Sequence, residues 1–300
     1  VATGALDMKG GLAMLVGALD VLAARDEAPP GDLLLLAVPD EEVGGEIAQP
    51  AVRRWGERAR AVLVLEPGEG RAGGETIVAG RRGLTEWTLT ATGRAAHSGL
   101  AYWQGRSALT AAADWSLRAA ALSRADGGPT VNVARLLAGS AGFVDALATQ
   151  HDLLGSSRQR NVVPDRALAE GEARYLSSAA GREVVAALAA LAREVGAAHE
   201  VELAFATGTA WPPVDPGGAG SALVARLVAL AAARGLRLEI ETDRGGISFP
   251  NYLSDPSRVP VLDGLGPVGG GMHTREEWVD LGSFRRRVLL LADLLAELRR

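Results

Sequence analysis

Five carboxylates and two histidines stand where they could do chemistry. Asp7 precedes Gly10-Gly11 and a segment of helical spacing. Asp40, Glu41 and Glu42 follow an apolar run, Asp32 to Val38, and Glu66 follows another, Arg60 to Leu65. His97 lies in Gly93 to Gly99 and His273 in Gly269 to Thr274, two of only four histidines. There is no cysteine, so thiolate nucleophiles, thiolate zinc sites and disulfides are excluded, and any metal must sit on carboxylates and imidazoles. Each residue alone has an ordinary meaning: Asp7 as a helix N-cap, the acids as solvated turns, a lone histidine as a surface or satisfied side chain. Together they can converge from strand and helix ends of one sheet, an oxygen and imidazole inventory that suits two divalent ions such as zinc. Two ions ~3.5 to 4 Å apart would share a bridging carboxylate and a bridging water. Adjacent Glu41 and Glu42 could then divide the labour, one ligating and the other taking the water proton.

The elements that must position these residues are legible in the apolar pattern. Gly11 to Ala23 predicts a buried helix. Asp32 to Val38 and Arg60 to Leu65 read as strands with a helix, Ala48 to Glu57, between them, and two fully apolar strands so connected imply a parallel sheet buried on both faces. From Arg81 the texture changes. Glu86 to Gly93 alternates with period two, Arg106 to Arg124 is helical, and Thr130 to Ala138 and Asn161 to Leu176 are strand-like. Arg182 to Val195 is helical and Val201 to Ala206 a last strand, giving the order βαββαβ. After Pro212-Pro213 the first texture returns, with helix Ala222 to Arg234, strand Leu236 to Glu241 and a closing helix Leu281 to Leu298. The expected organisation is a first domain in two parts, 1–82 and 209–300, carrying an inserted domain over 83–208. Gly139 to Arg160 is left as a long unplaced loop.

Composition bounds the partners. The chain of 300 residues is 48% hydrophobic and 22% charged, which excludes disorder and collagen-like repeats. A net charge of -5, with Lys9 the only lysine, argues against a nucleic-acid phosphate binder, and Arg285 to Arg287 reads as a solvated helix face. No apolar run reaches the ~18 residues of a membrane span.

The runs Gly4 to Gly11, Pro39 to Gly45, Leu65 to Pro67, Gly93 to Gly99, Asn161 to Asp165 and Asp263 to Thr274, with Glu277, resemble in order the di-zinc metallopeptidases that include glutamate carboxypeptidase, acetylornithine deacetylase and succinyl-diaminopimelate desuccinylase. The surroundings of His97 look closest to the glutamate carboxypeptidases. The resemblance implies a zinc-peptidase-like α/β catalytic domain, with a mixed, mostly parallel sheet between helices, and an inserted ferredoxin-like βαββαβ lid that forms a homodimer. It implies two divalent ions, zinc first with cobalt or manganese as substitutes. By position, Asp7 matches the bridging carboxylate, Glu42 and His273 ligands of one ion, Glu66 a ligand of the other, and Glu41 the general base. His97 matches a lid histidine reaching the partner's active site, and Asn161 and Arg174 match a pair, at the two ends of one lid strand, that binds the substrate carboxylate. The implied reaction is hydrolysis of an amide in an N-acyl amino acid or peptide with a free carboxylate.

The sequence departs from this pattern. The family's first ligand, a histidine of an H-x-D motif, lies upstream of the bridging aspartate, and the sequence starts six residues before Asp7. On the resemblance this reads as an N-terminal truncation, with one metal site lacking its histidine and hydrolysis impaired. Phe249 and Pro250 replace an acid and a small residue in a loop near the substrate. The alternative reading is an inactive family member acting as a dimeric binding or scaffolding module. The cysteine-free composition is compatible with the cytoplasm.

Overall fold

The computed structural model describes residues 3–29, 31–149 and 161–299. They form two compact units, Val1–Arg82 with Pro212–Arg300, and Gly83–Trp211.

In the first unit a turn, Ala5–Lys9, feeds helix α1 (Gly10–Ala24). Gly11 is there for closeness: a Cβ would sit 2.5 Å from the Leu65 carbonyl oxygen, so only glycine lets the helix start touch the strand end before Glu66. Helix α2 (Ala48–Gly56) starts where Asp40 accepts the Ile47 and Ala48 N–H groups at 2.6 and 3.4 Å. Three short strands follow, β1 (Val62–Leu63), β2 (Gly70–Arg71) and β3 (Gly74–Val78).

The second unit runs β4 (Gly83–Thr92), α3 (Ala108–Ala120), β5 (Thr130–Gly139), α4 (Ala141–Thr149), β6 (Arg166–Tyr175), α5 (Ser178–His199) and β7 (Glu202–Trp211). Its sheet has the order β5-β6-β4-β7, antiparallel throughout. Alternation along β4 turns Trp87, Leu89 and Ala91 inward, where Trp87 meets Trp115 of α3 edge to face at 5.0 Å. Ser107 and Ser177 cap α3 and α5 by accepting the N–H groups of Thr110 and Ala180. Leu84 pairs with Trp211, so the two ends of the unit are neighbours, the arrangement that lets a domain be inserted into a loop of another.

The chain then completes the first unit with α6 (Ser221–Ala233), β8 (Leu238–Glu241), β9 (Val261–Leu262), β10 (Gly269–Gly270), β11 (Trp278–Val279) and α7 (Leu281–Leu298). The pairs β1–β9 and β3–β8 are parallel, and β2–β3 and β10–β11 antiparallel. The core packs Leu15 and Leu22 of α1 with Ile77, Leu227, Leu262 and Leu294, each buried side chain stabilising by about 1.5–3 kcal/mol. Among the described residues, no helix is long and apolar enough to cross a membrane.

Four expectations need correction. Asp32 to Val38 is not a strand: it has no ladder partner among the described residues, and Leu34 and Leu35 are 56% and 53% exposed. An apolar run needs a neighbouring strand to satisfy its backbone as a ladder, and among the described residues none is beside it. Asn161 lies before its strand, which starts only at Arg166 because Pro164 cannot donate to a ladder. Residues 141–149 of the unplaced loop are helix α4, whose first N–H is received by the Asp165 carboxylate at 3.0 Å; residues 150–160, with His151, lie outside the described residues. Arg287 is 3% exposed, so the arginine run is not a solvated face.

Candidate metal centre

Asp7, Glu42 and His273 come together although they stand in three separate segments of the first unit. One ligand atom from each lies within 4.8 Å of the others. His273 Nε2 is 3.2 Å from Asp7 Oδ2 and 3.5 Å from Glu42 Oε1. The Asp7 carboxylate caps nothing: helix α1 starts from Lys9 with no side-chain cap, so the N-cap reading fails. The backbone instead turns at Asp7, and the Asp7–Met8 peptide is cis. His273 has φ 63°, a left-handed conformation uncommon outside glycine, reached from the glycine run before it.

Glu277 holds this turn in place. It is 1% exposed and accepts three backbone N–H groups, from Gly4 at 2.7 Å, Leu6 at 2.6 Å and Asp7 at 2.7 Å. Burial pushes its carboxyl pKa up, but those donors outweigh burial and leave it below the ordinary value.

Glu41 and Glu66 belong to the same acidic cluster. Burial comes first in raising the Glu41 pKa, with the charges of Glu42 and Asp7 adding to it, against a Ser248 hydroxyl and Arg81. Glu66 is pushed up to about 8, by burial first and then by Asp263, Asp7 and Glu41. Glu42 is raised by burial and by Asp7, opposed by His273. Ser248 Oγ donates to Glu66 Oε1 at 3.4 Å. Arg81 is committed to Asp263, which it contacts through Nε at 2.9 Å and through Nη2, and to the Gly246 carbonyl at 2.7 Å. Tyr252 is pushed up to about 12, by burial and then by Glu41 and Asp40, and stays a neutral phenol beside the cluster.

This donor set fits a divalent cation. Two carboxylates and an imidazole within ligand distance of one point are the hard and borderline donors that zinc accepts. Glu41, Glu42 and Glu66 raise one another's pKa or are raised by Asp7, a repulsion that a bound cation would relieve.

The remaining three expected residues lie in the second unit. His97 is exposed, and its Nδ1 accepts the N–H groups of Gly99 and Leu100 at 3.1 and 3.2 Å, which leaves the proton on Nε2 as a donor. Ser98 N–H donates to the Asn161 carbonyl at 2.9 Å, so the His97 loop and Asn161 are neighbours. Arg174 sits near the far end of β6, roughly 25 Å along the strand from its start, and its guanidinium meets Glu172 at 2.7 and 3.2 Å. His199 pairs with Asp114 at 3.1 Å and serves the packing of α3 and α5.

Pattern reading missed Ser248, Tyr252, Arg81 with Asp263, and the acceptor role of Glu277. Three had a signal: Ser248 by its place in Gly245-Gly246-Ile247-Ser248 after the glycine pair, Asp263 as the start of the run to Thr274, and Glu277 as a motif member.

A chain with a split α/β unit, an inserted βαββαβ unit and an acid–imidazole cluster at its loop ends has the architecture of a metallopeptidase. The chain belongs to peptidase family M20/M25/M40, which it matches over residues 1–297. It is 32% identical to a succinyl-diaminopimelate desuccinylase of Rhodospirillum centenum over 280 residues, 91% of this chain and 66% of the relative. It is 26% identical to carboxypeptidase G2 of a Pseudomonas species over 298 residues, 98% of this chain and 66% of the relative. The chain thus spans slightly less than two thirds of the length of these curated relatives. Its fold is that of aminopeptidase PepT from Bacillus cereus, with a TM-score of 0.77 at 22% identity, covering 97% of this chain and 71% of the other. A tripeptidase from Staphylococcus aureus gives a TM-score of 0.72 at 19% identity, covering 99% and 72%.

Proposed function

We propose that this chain is the metal-binding part of a hydrolase that cleaves an amide bond in an N-acyl amino acid or peptide with a free carboxylate. The observation that carries the reading is the convergence of Asp7, Glu42 and His273 beside Glu41 and Glu66. Asp7, Glu42 and His273 would hold one ion, and Asp7 with Glu66 would hold a second. Zinc is the favoured metal. A divalent ion bound there polarises a carbonyl oxygen and acidifies water.

The chain's own residues do the rest. Glu41, whose pKa burial and like charges raise above the ordinary carboxylate value, takes a proton from water on a carboxylate oxygen. The hydroxyl oxygen bonds to the amide carbon, the C–N bond breaks, and Glu41 returns the proton to the leaving nitrogen. His97, donor at Nε2, stabilises the negative oxygen of the tetrahedral species from a partner subunit, which requires a homodimer built through the second unit. Asn161, beside the His97 loop, and Arg174, near the other end of β6, are too far apart in one chain to share a carboxylate. They therefore bind that of the substrate from different subunits of the dimer, the arginine exchanging Glu172 for it. The desuccinylase relative makes N-succinyl-diaminopimelate, and the likeness of the His97 surroundings to the glutamate carboxypeptidases makes N-acyl-glutamate, the substrates to try first. The cytoplasm is the proposed compartment.

The test is metal content and turnover together. Dialysis against buffered Zn²⁺ followed by elemental analysis should find bound zinc, and the loaded protein should release free amine from one of those two substrates. No zinc retained, or zinc retained with no amide cleaved in either class, would overturn the reading.

A further inference from the structure

We propose that Arg287 of α7 is a positioning residue that fixes the backbone carrying Glu66. Its importance to catalysis rests on the reading of Glu66 given above; the geometry stands without it. The guanidinium is buried, and its three nitrogens make four hydrogen bonds inside the first unit. Nε donates to Glu75 at 2.7 Å, Nη1 to the carbonyls of Gly264 and Gly266 at 2.8 and 2.7 Å, and Nη2 to the Thr76 carbonyl at 2.6 Å. Glu75 balances the charge and also receives Ser283 at 2.9 Å and Arg286 at 2.5 Å.

Those carbonyls belong to the segments that hold Glu66. Gly266 N–H donates to the Glu66 carbonyl at 2.8 Å, and Leu265 N–H to the Val64 carbonyl at 3.1 Å, so the turn after Asp263 lies along the strand end that presents Glu66. Thr76 is tied to the next turn, its hydroxyl accepting the Glu69 N–H at 2.8 Å. Gly68, two residues past Glu66, leaves room for the guanidinium: a Cβ there would lie 2.5 and 2.6 Å from Arg287 Nη1 and Nη2, and 2.7 Å from the Thr76 oxygen. One cation therefore ties together two backbone segments, Thr76 and the turn from Gly264 to Gly266, and packs closely against a third at Gly68.

A planar fork is required for this. Lysine would keep the charge opposite Glu75, but its three donors radiate from a single nitrogen and cannot reach Glu75 and the three carbonyls in two segments at once. A buried ion pair is by itself poor evidence of a stabilising role, so the test must separate positioning from general stability.

Amide hydrogen exchange in the full chain does so. In Arg287→Lys the amides of Gly266 and Glu69 should exchange at least tenfold faster, while those inside α1 and α7 keep wild-type rates. Uniform acceleration across the first unit, or no change at Gly266 and Glu69, would overturn the proposal. Should the variant fail to fold, the wild type still decides. Couplings through the hydrogen bonds from Arg287 Nη to the Gly264 and Gly266 carbonyl carbons support it, and their absence in the folded protein refutes it. None of these readouts needs metal, so a wild type that binds no Zn²⁺ removes the proposed function and leaves the result on Arg287 legible.

Discussion

The peptide N–H of Asp7 donates to the carboxylate of Glu277 at 2.7 Å across 270 positions of sequence. With Gly4 and Leu6 on the same side chain, the aspartate expected to bridge the metals owes its place to an acid near the other end of the chain. Glutamine in its place must turn an NH₂ group toward at least one N–H donor, leaving it unsatisfied at about 1–3 kcal/mol. Glu277→Gln should lower the unfolding midpoint and weaken Zn²⁺ binding about 10- to 100-fold, as outer-shell substitutions do. Calorimetry and zinc titration read both, and wild-type values in each would show that the contact holds nothing.

Glu41→Gln should stop turnover and leave metal bound. The amide cannot take a proton from water, while the donors Asp7, Glu42 and His273 are untouched. A loss of at least 100-fold in kcat is expected for removal of a general base. Full activity in that variant would mean that the base has been misassigned.

The metal-free protein should lose stability as pH rises from about 5 to 8. Glu66 is lifted from 4.5 to about 8, so the folded state holds its proton more tightly than the unfolded chain does. Stability from this group is fully present below the unfolded pKa and drains away as pH climbs through the folded one, by at most about 1.4 kcal/mol per pH unit. Glu75 and Glu277 are shifted down and lose their contribution only in acid, below this window. Denaturant midpoints in chelator at pH 5 and pH 8 should therefore fall in the wild type and fall less in Glu66→Gln. Identical pH slopes in the two proteins would remove Glu66 as the cause.

Leu34→Lys and Leu35→Glu should leave the fold alone. Both side chains are more than half exposed, and surface substitutions of this kind usually change stability by less than about 0.5 kcal/mol. Contiguous exposed leucines invite association, so light scattering against concentration should show less self-association in the double variant. A large drop in the unfolding midpoint would contradict the exposed placement of this run.

Local pattern carried much of the architecture. Helix α7 runs from Leu281 to Leu298 as its periodicity implies, because Asp280 caps it by accepting the Ser283 N–H at 2.8 Å. Alternation made β4 legible because one face of that sheet is covered by helices and the other is not. Leu33 to Leu36 misled because an apolar run records a tendency to be buried and says nothing of what lies beside it. Arg287 was hidden in a run of three arginines, where sequence cannot tell the one that turns inward from the two that turn out. The carboxylates of the centre were visible as types, but Glu277 was visible only as a motif member, since its work is to receive backbone groups that no sequence pattern marks.

The long span between Asp7 and its partners also sets a clock. Contacts of such high sequence separation are slow to form, and at about 5–20 residues per second a ribosome needs tens of seconds to pass from residue 7 to residue 277. During that interval a nascent chain displays Asp7 and Glu42 without His273, and the turn at Asp7 has no acid to fasten it. The full donor set can exist only on molecules whose translation has run past His273, and its fastened form only past Glu277, which makes metal capture a late event in the life of each chain.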